Sequence, residues 1–356
     1  MMDSSLEFCR QKEDLVRTVR TLQVATQNTL QKTVPLLSSQ MGLGLLRPSH
    51  VNQLSEKTSQ VCRDLENVGN LLLFRQDELI QTISVPRTGG SNSLQWCSDG
   101  SLYVCGYNGP YVHLLNSHGK PSQALYCRDD DLFLPDSIAM TRLGSIVVTD
   151  IAKGVVRIHN PTSHPPWVKV GGHFQSPKGI AVDSSGQILV VEYMTGTVQA
   201  FHIDRIHRVH GIKKVSGLQG PQNICATSDG GFAVSEECGD VKLFTSNLKL
   251  CGSISEIYQH KFGNPSGICA DPEGNILVAD VQKRNVTLFP VSGSPICIVS
   301  KGLCNPSGLS CSPFGLLYVA DSGDNSVKVY KYRVKPYYAP ISPRKSGDAQ
   351  SQTPRA

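Results

Sequence analysis

"NPSGICADPEGNILVADVQKRNVTLF" (264–289) and "NPSGLSCSPFGLLYVADSGDNSVKVY" (305–330) are one pattern written twice. Four looser copies precede them. A turn glycine indexes each copy: Gly100, Gly144, Gly186, Gly230, Gly274 and Gly315, in steps of 44, 42, 44, 44 and 41 residues. A recurring period of this size marks a repeat architecture in which each copy is one unit.

Within a copy, short β-branched runs alternate with Gly, Pro, Asn and Asp turns, which reads as strands joined by tight connections. Ile276, Leu277, Val278 and Ala279 form an unbroken apolar run, so that strand is expected to be covered on both faces. Helical repeats of similar length would need apolar residues three and four apart, which these runs do not supply. Radial stacking of antiparallel sheets satisfies length, period and two-sided burial together, and predicts an all-β, six-bladed β-propeller.

The sixth position after each turn glycine is Gly106, Asp150, Glu192, Glu236, Asp280 and Asp321. A carboxylate closing a strand commonly accepts backbone N–H groups of the turn that follows, and these acids are read first as structural turn acids. The competing reading is a ring of acids holding a cation near the channel. The turns after the acids are expected to share one rim, carrying Tyr107, Asn108, Lys153, Tyr193, Met194, Gln282, Lys283, Arg284, Asp324 and Asn325. Such a mix of Tyr, Met, Arg and Asn suits a protein interface.

The opener, the central "VAD" and the closing "VTLF" or "VKVY" resemble NHL repeats over residues 79–338. The closing run "LLYVADSGDNSVKVYKYRVKPYYAP" is most similar to the C-terminal propeller of the TRIM-NHL proteins, on the side of malin and the muscle-associated tripartite-motif ligase. That resemblance implies substrate recognition or scaffolding in ubiquitin-dependent protein turnover. It does not imply ligase activity for this chain, because the closely spaced Cys and His of a RING and a B-box are absent from it.

The last copy lacks a fourth strand, whereas "ELIQTISV" (78–85) stands before the first copy as an alternating segment. The two are expected to pair, with residues 78–85 lying against the strand at Val327–Tyr332 and removing an open edge. Three regions follow: a helical, coiled-coil segment at 1–77 with a linker near 35–48, the propeller at 78–338, and a disordered tail at 339–356 rich in Ser, Pro, Gln and Arg. In the first region Val51, Leu54, Thr58, Val61, Leu65, Val68 and Leu72 follow spacings of three and four, the pattern of a self-associating seam.

Twelve cysteines contain no C-x-x-C pair and no Cys-His cluster of zinc-ligand spacing, so reduced thiols in a cytoplasmic protein are expected. No apolar stretch is long enough for a membrane helix and no secretory leader is legible. Residues 91–340 hold 21 Lys and Arg against 19 Asp and Glu, nearly neutral for a nucleic-acid binder. The dense basic stretch is "RIHRVHGIKK", with Arg205, His207, Arg208, His210, Lys213 and Lys214, a candidate contact for phosphates or an acidic protein surface. No nucleophile elbow, H-E-x-x-H or phosphate loop appears, and no cofactor or metal is expected. The chain is expected to bind a protein substrate or scaffold partner, with RNA as the alternative and a metal-dependent propeller hydrolase or lyase as a minor one. Self-association would run through the N-terminal helices.

Overall fold

The computed structural model describes residues 73–334, apart from 88–89, 107–108, 128–131, 161–165, 172–173 and 205, together with Glu56 and Gln60. The expected coiled coil and tail therefore lie outside the described residues. Apart from single helical positions at Glu56, Gln60 and Leu73, the described residues form six four-stranded antiparallel sheets with their connections and the short helix Ile254–Tyr258. Blade one is Ser93–Trp96, Leu102–Cys105, Val112–Leu115 and Pro121–Leu125, innermost to outermost. Blades two to five repeat this order. Their inner strands are Pro135–Met140, Pro177–Val182, Pro221–Ala226 and Pro265–Ala270, and that of blade six is Pro306–Cys311. Each inner strand packs against its two neighbours and the sixth against the first, so the ring is closed.

Blade six takes its outer strand from the other end of the chain. Leu79–Ser84 pairs antiparallel with Ser326–Lys331, with Ile83 opposite Val327 and Thr82 opposite Lys328. The pairing expected from the alternating segment is therefore present. Alternation here buries Ile83 while Leu79 and Ile80 stay exposed. Asn325 extends the seam, its side-chain amide donating to the Val85 carbonyl at 2.8 Å.

Six interblade clusters make the core, because each sheet buries one face against the blade before it and the other against the blade after it. The second strand of blade five, Ile276–Asp280, is covered on both faces, as its unbroken apolar run predicts. The six indexing glycines all have φ between +79° and +88°, a conformation that β-branched or bulky residues avoid. A different constraint acts at Gly267: a Cβ there would lie 2.7 Å from the Ser307 carbonyl oxygen, so small residues let the inner strands approach.

Candidate interaction face

Each recurring acid stands where the second strand of its blade ends, directly opposite the first residue of the inner strand. Glu192 faces Pro177, Asp150 faces Pro135, Glu236 faces Pro221, Asp280 faces Pro265 and Asp321 faces Pro306. The turn after the acid and the segment entering the inner strand consequently share one rim.

The acids pin that rim, but with donors other than the following turn alone. The Asp321 carboxylate accepts from the backbone N–H of Cys304 at 2.9 Å and Asn305 at 2.7 Å. Glu192 accepts from Gln175 and Ser176, Asp280 from Gly263 and Asn264, Glu236 from Gln219, and Asp150 from Leu134. All of these donors belong to the segment entering the same blade, 16 or 17 residues upstream. Among the described residues, Asp280 also accepts a forward bond from Lys283 and Asp321 one from Gly323. The expectation of turn chemistry thus needs correcting in its main partner: the carboxylate stitches the end of the second strand to the entry of the first.

For two of these acids, Asp150 and Asp321, the third strand supplies a bonded cation. Arg157 Nε donates to Asp150 at 2.8 Å, and Lys328 Nζ lies 2.6 Å from both Asp321 and Asp324. Lys242 bonds Asp240 at 2.7 Å. Burial opposes the charge on Asp321, yet the hydrogen bonds from Lys328, Asn305 and Cys304 hold its carboxyl below the ordinary aspartate value. On Glu236 burial prevails and raises the pKa. Among the described residues, Cys304, Asp321 and Asp324 stand close enough together to hold a metal ion, but the Lys328 ammonium already sits between the two carboxylates.

The channel mouth on this rim is lined by the second residues of the inner strands, Asp136, Lys178, Gln222, Ser266 and Ser307, together with Asn92, around a cavity of about 270 Å³. Asp136 is buried and accepts from Asn92 Nδ2 at 2.8 Å, and burial raises its pKa against the pull of Lys178. Lys178 donates to Gln222 at 2.8 Å and lies 4.6 Å from the centre of the Tyr193 ring. The Tyr193 hydroxyl and Gln222 both donate to Glu237, at 2.7 and 3.1 Å. A continuous polar network therefore joins the mouth of blades three and four to the outer turn, where Met194 is 65% exposed.

Of the expected rim residues, Tyr193 belongs to this network and Met194 stands beside it. Lys153, Lys283 and Arg284 are exposed on the same rim. Lys283 donates to the Lys261 carbonyl, Asp324 is tied to Lys328 and Ser326, and Asn325 is spent on ring closure. Tyr107 and Asn108 lie outside the described residues. Asp136, Lys178, Gln222 and Glu237 were not picked out by sequence, although the residue after each opening proline recurs with the blade period.

The basic stretch is a separate surface. The outer strand of blade three, Val209–Ser216, is the longest in the protein's described part at 8 residues and is exposed along most of its length. Lys213 stands opposite Ala200 and Lys214 opposite Gln199, so the two lysines point to opposite faces of the sheet. His210 stacks on His202 with ring centres 5.7 Å apart, while Asp204 accepts the backbone N–H groups of Ile206 and Arg208 to close the preceding turn, which holds His207 at φ 62°. Arg205 lies outside the described residues.

No family model matches the chain. Human NHL-repeat-containing protein 4 is 55% identical over 115 residues, covering 32% of this chain and 94% of that protein. The chain belongs to the NHL-repeat proteins. The human E3 ubiquitin-protein ligase TRIM32 is 24% identical over 237 residues, covering 58% of this chain, and the chain spans only 34% of that ligase's length. Virginiamycin B lyase from Staphylococcus aureus shares the fold with a TM-score of 0.52 at 13% identity, over 72% of this chain and 89% of the lyase. No described helix is long and apolar enough to cross a membrane.

Proposed function

We propose that this NHL propeller is a protein-docking platform that engages its partner through the rim at the channel mouth, in ubiquitin-dependent turnover of that partner. The observation that carries the reading is the Lys178–Tyr193–Gln222–Glu237 network. It presents a rigid amphipathic surface, with an aromatic ring held under a cation beside the exposed Met194, on loops fixed by buried acids. Likeness to an E3 ubiquitin-protein ligase supports the pathway. A cytoplasmic location and self-association through the region before residue 73 complete the reading.

Affinity capture with the full chain, with and without RNase, tests it. Protein partners are expected to survive RNase and to be lost from a Lys178→Glu, Met194→Asp variant that melts like the parent. Loss of the partners on RNase treatment, or their retention by the double variant, would overturn the reading. The exposed basic strand Val209–Ser216 is the feature that favours RNA, and RNase-sensitive capture abolished by Lys213→Glu and Lys214→Glu would establish that alternative.

A further inference from the structure

On the inner strands of blades five and six, Cys269 and Cys311 bring their Sγ atoms to 3.3 Å. The residues are 42 positions apart and belong to sheets that share no strand pairing, so side-chain packing alone joins them. Both contribute to the same interblade cluster, Cys269 from blade five and Cys311 from blade six. Both also line a channel cavity of about 290 Å³, which gives a small oxidant a route to them. Cys311 is the more exposed of the two.

The geometry points to Cys269 and Cys311 as a disulfide-forming pair that staples blade five to blade six when the protein meets a peroxide. The sulfurs must close by little more than 1 Å to reach a bond of about 2.05 Å. In the reaction the Cys311 thiol gives up its proton, and its sulfur attacks one peroxide oxygen, breaking the O–O bond and leaving a sulfenic acid and water. The Cys269 sulfur then displaces the sulfenic oxygen, which departs as a second water with the Cys269 proton. Two thiols and one hydrogen peroxide give one disulfide and two waters, and the two electrons pass from sulfur to oxygen. An uncharged product suits this apolar interface, whereas the hydrogen bond with Cys311 and burial together raise the Cys269 thiol well above its ordinary pKa and make the second step slow. Blade six is where the first and last strands of the propeller pair, so the bond would add a covalent tie beside a closure that is otherwise hydrogen-bonded.

The test is peptide mapping of the full chain under non-reducing conditions after graded hydrogen peroxide, with thermal melting of the same samples. A Cys269–Cys311 linked peptide is expected, two hydrogens lighter, together with a melting temperature raised by roughly 8–16 °C, as a loop of about 40 residues implies. Dithiothreitol should reverse both. Cys311→Ser, and separately Cys269→Ala, should melt like the reduced parent and show neither link nor shift. A link from either residue to Cys225, which lies on the neighbouring inner strand, would overturn the assignment. So would sulfinic or sulfonic acids in place of the link, or oxidation confined to the exposed Cys238, Cys251 and Cys304.

Discussion

Replacing Asp321 by Asn isolates the acid pin, because the change preserves shape and removes charge at a fully buried side chain. Asp321 accepts the backbone N–H groups of Cys304, Asn305 and, at 3.4 Å, Gly323, together with the Lys328 ammonium, four donors to one carboxylate. An amide offers one acceptor oxygen and turns its NH2 toward a donor, leaving at least one N–H unsatisfied and Lys328 short of a counter-charge. Breaking a buried ion pair from one side costs about 3–5 kcal/mol. Asp324 stays 2.6 Å from the same ammonium and holds the loss near the lower end, about 3 kcal/mol. In a domain of this size that lowers the melting temperature by roughly 6–12 °C.

Glu236→Gln is the matched comparison. Its carboxyl accepts the Gln219 N–H, which a glutamine oxygen can also accept, and burial raises its pKa, so ionisation of this group does not favour the fold. The expected change is within about 1 kcal/mol. Because the Asp321 carboxyl titrates below its unfolded value near 3.9, its contribution is present above that pH and disappears as pH falls through the folded-state value. Urea melts of parent and variant should therefore converge in acid. Equal losses in the two variants, or a difference between Asp321→Asn and parent that persists undiminished at low pH, would refute the argument.

Other perturbations test other parts of the ring. Deleting residues 78–85 removes the outer strand of blade six and the buried Ile83 and Val85, and should abolish the cooperative melt; an unchanged transition would refute ring closure as described. Gly196→Ala should be clearly more damaging than Gly144→Ala, since its Cβ would meet the Leu218 carbonyl oxygen at 2.2 Å whereas nothing lies within 4 Å of the other. Both carry the left-handed strain of about 1–2 kcal/mol, so the difference in melting temperature reports the collision alone. His113, His159 and His260 all have pKa values lowered by burial, with Lys283 adding to the effect at His260. Their neutral forms are favoured in the fold, so stability should decline as pH falls through the unfolded histidine value near 6.5, and His113→Gln should flatten that decline.

The blade count and the ring closure were legible because both depend on backbone periodicity. A turn glycine every 41–44 residues and an alternating segment without a partner are properties of the chain alone. The candidate site was less legible. The acids were visible, but their donors lie 16 or 17 residues upstream, a distance set by how the entering segment folds back and not by any local motif. The channel mouth was hidden by a register shift inside the inner strands, as between Pro177 and Ile180, which breaks the simple alternation of faces. The same irregularity concealed the thiol contact. Cys269 is the fifth residue of its strand and Cys311 the sixth of its own, yet the two face one another across the blade interface.

Blade one lacks both the acid and the third-strand cation. Gly106 stands where the other blades have an acid, and His113 occupies the third-strand position held by Arg157, Lys242 and Lys328 in blades two, four and six. His113 is buried, and burial lowers its pKa, so a neutral side chain fills the place of the cation. An unpaired buried ammonium there would be costly, whereas an acid without a third-strand cation is tolerated in blades three and five, where Gln199 and Thr287 fill that position and backbone N–H groups hold Glu192 and Asp280. Introducing the cation alone, by His113→Lys, should therefore destabilise the propeller, while adding Gly106→Asp should recover part of the loss. Double-mutant melts measure this coupling directly, and strictly additive effects would show that the acid and the third-strand cation are independent.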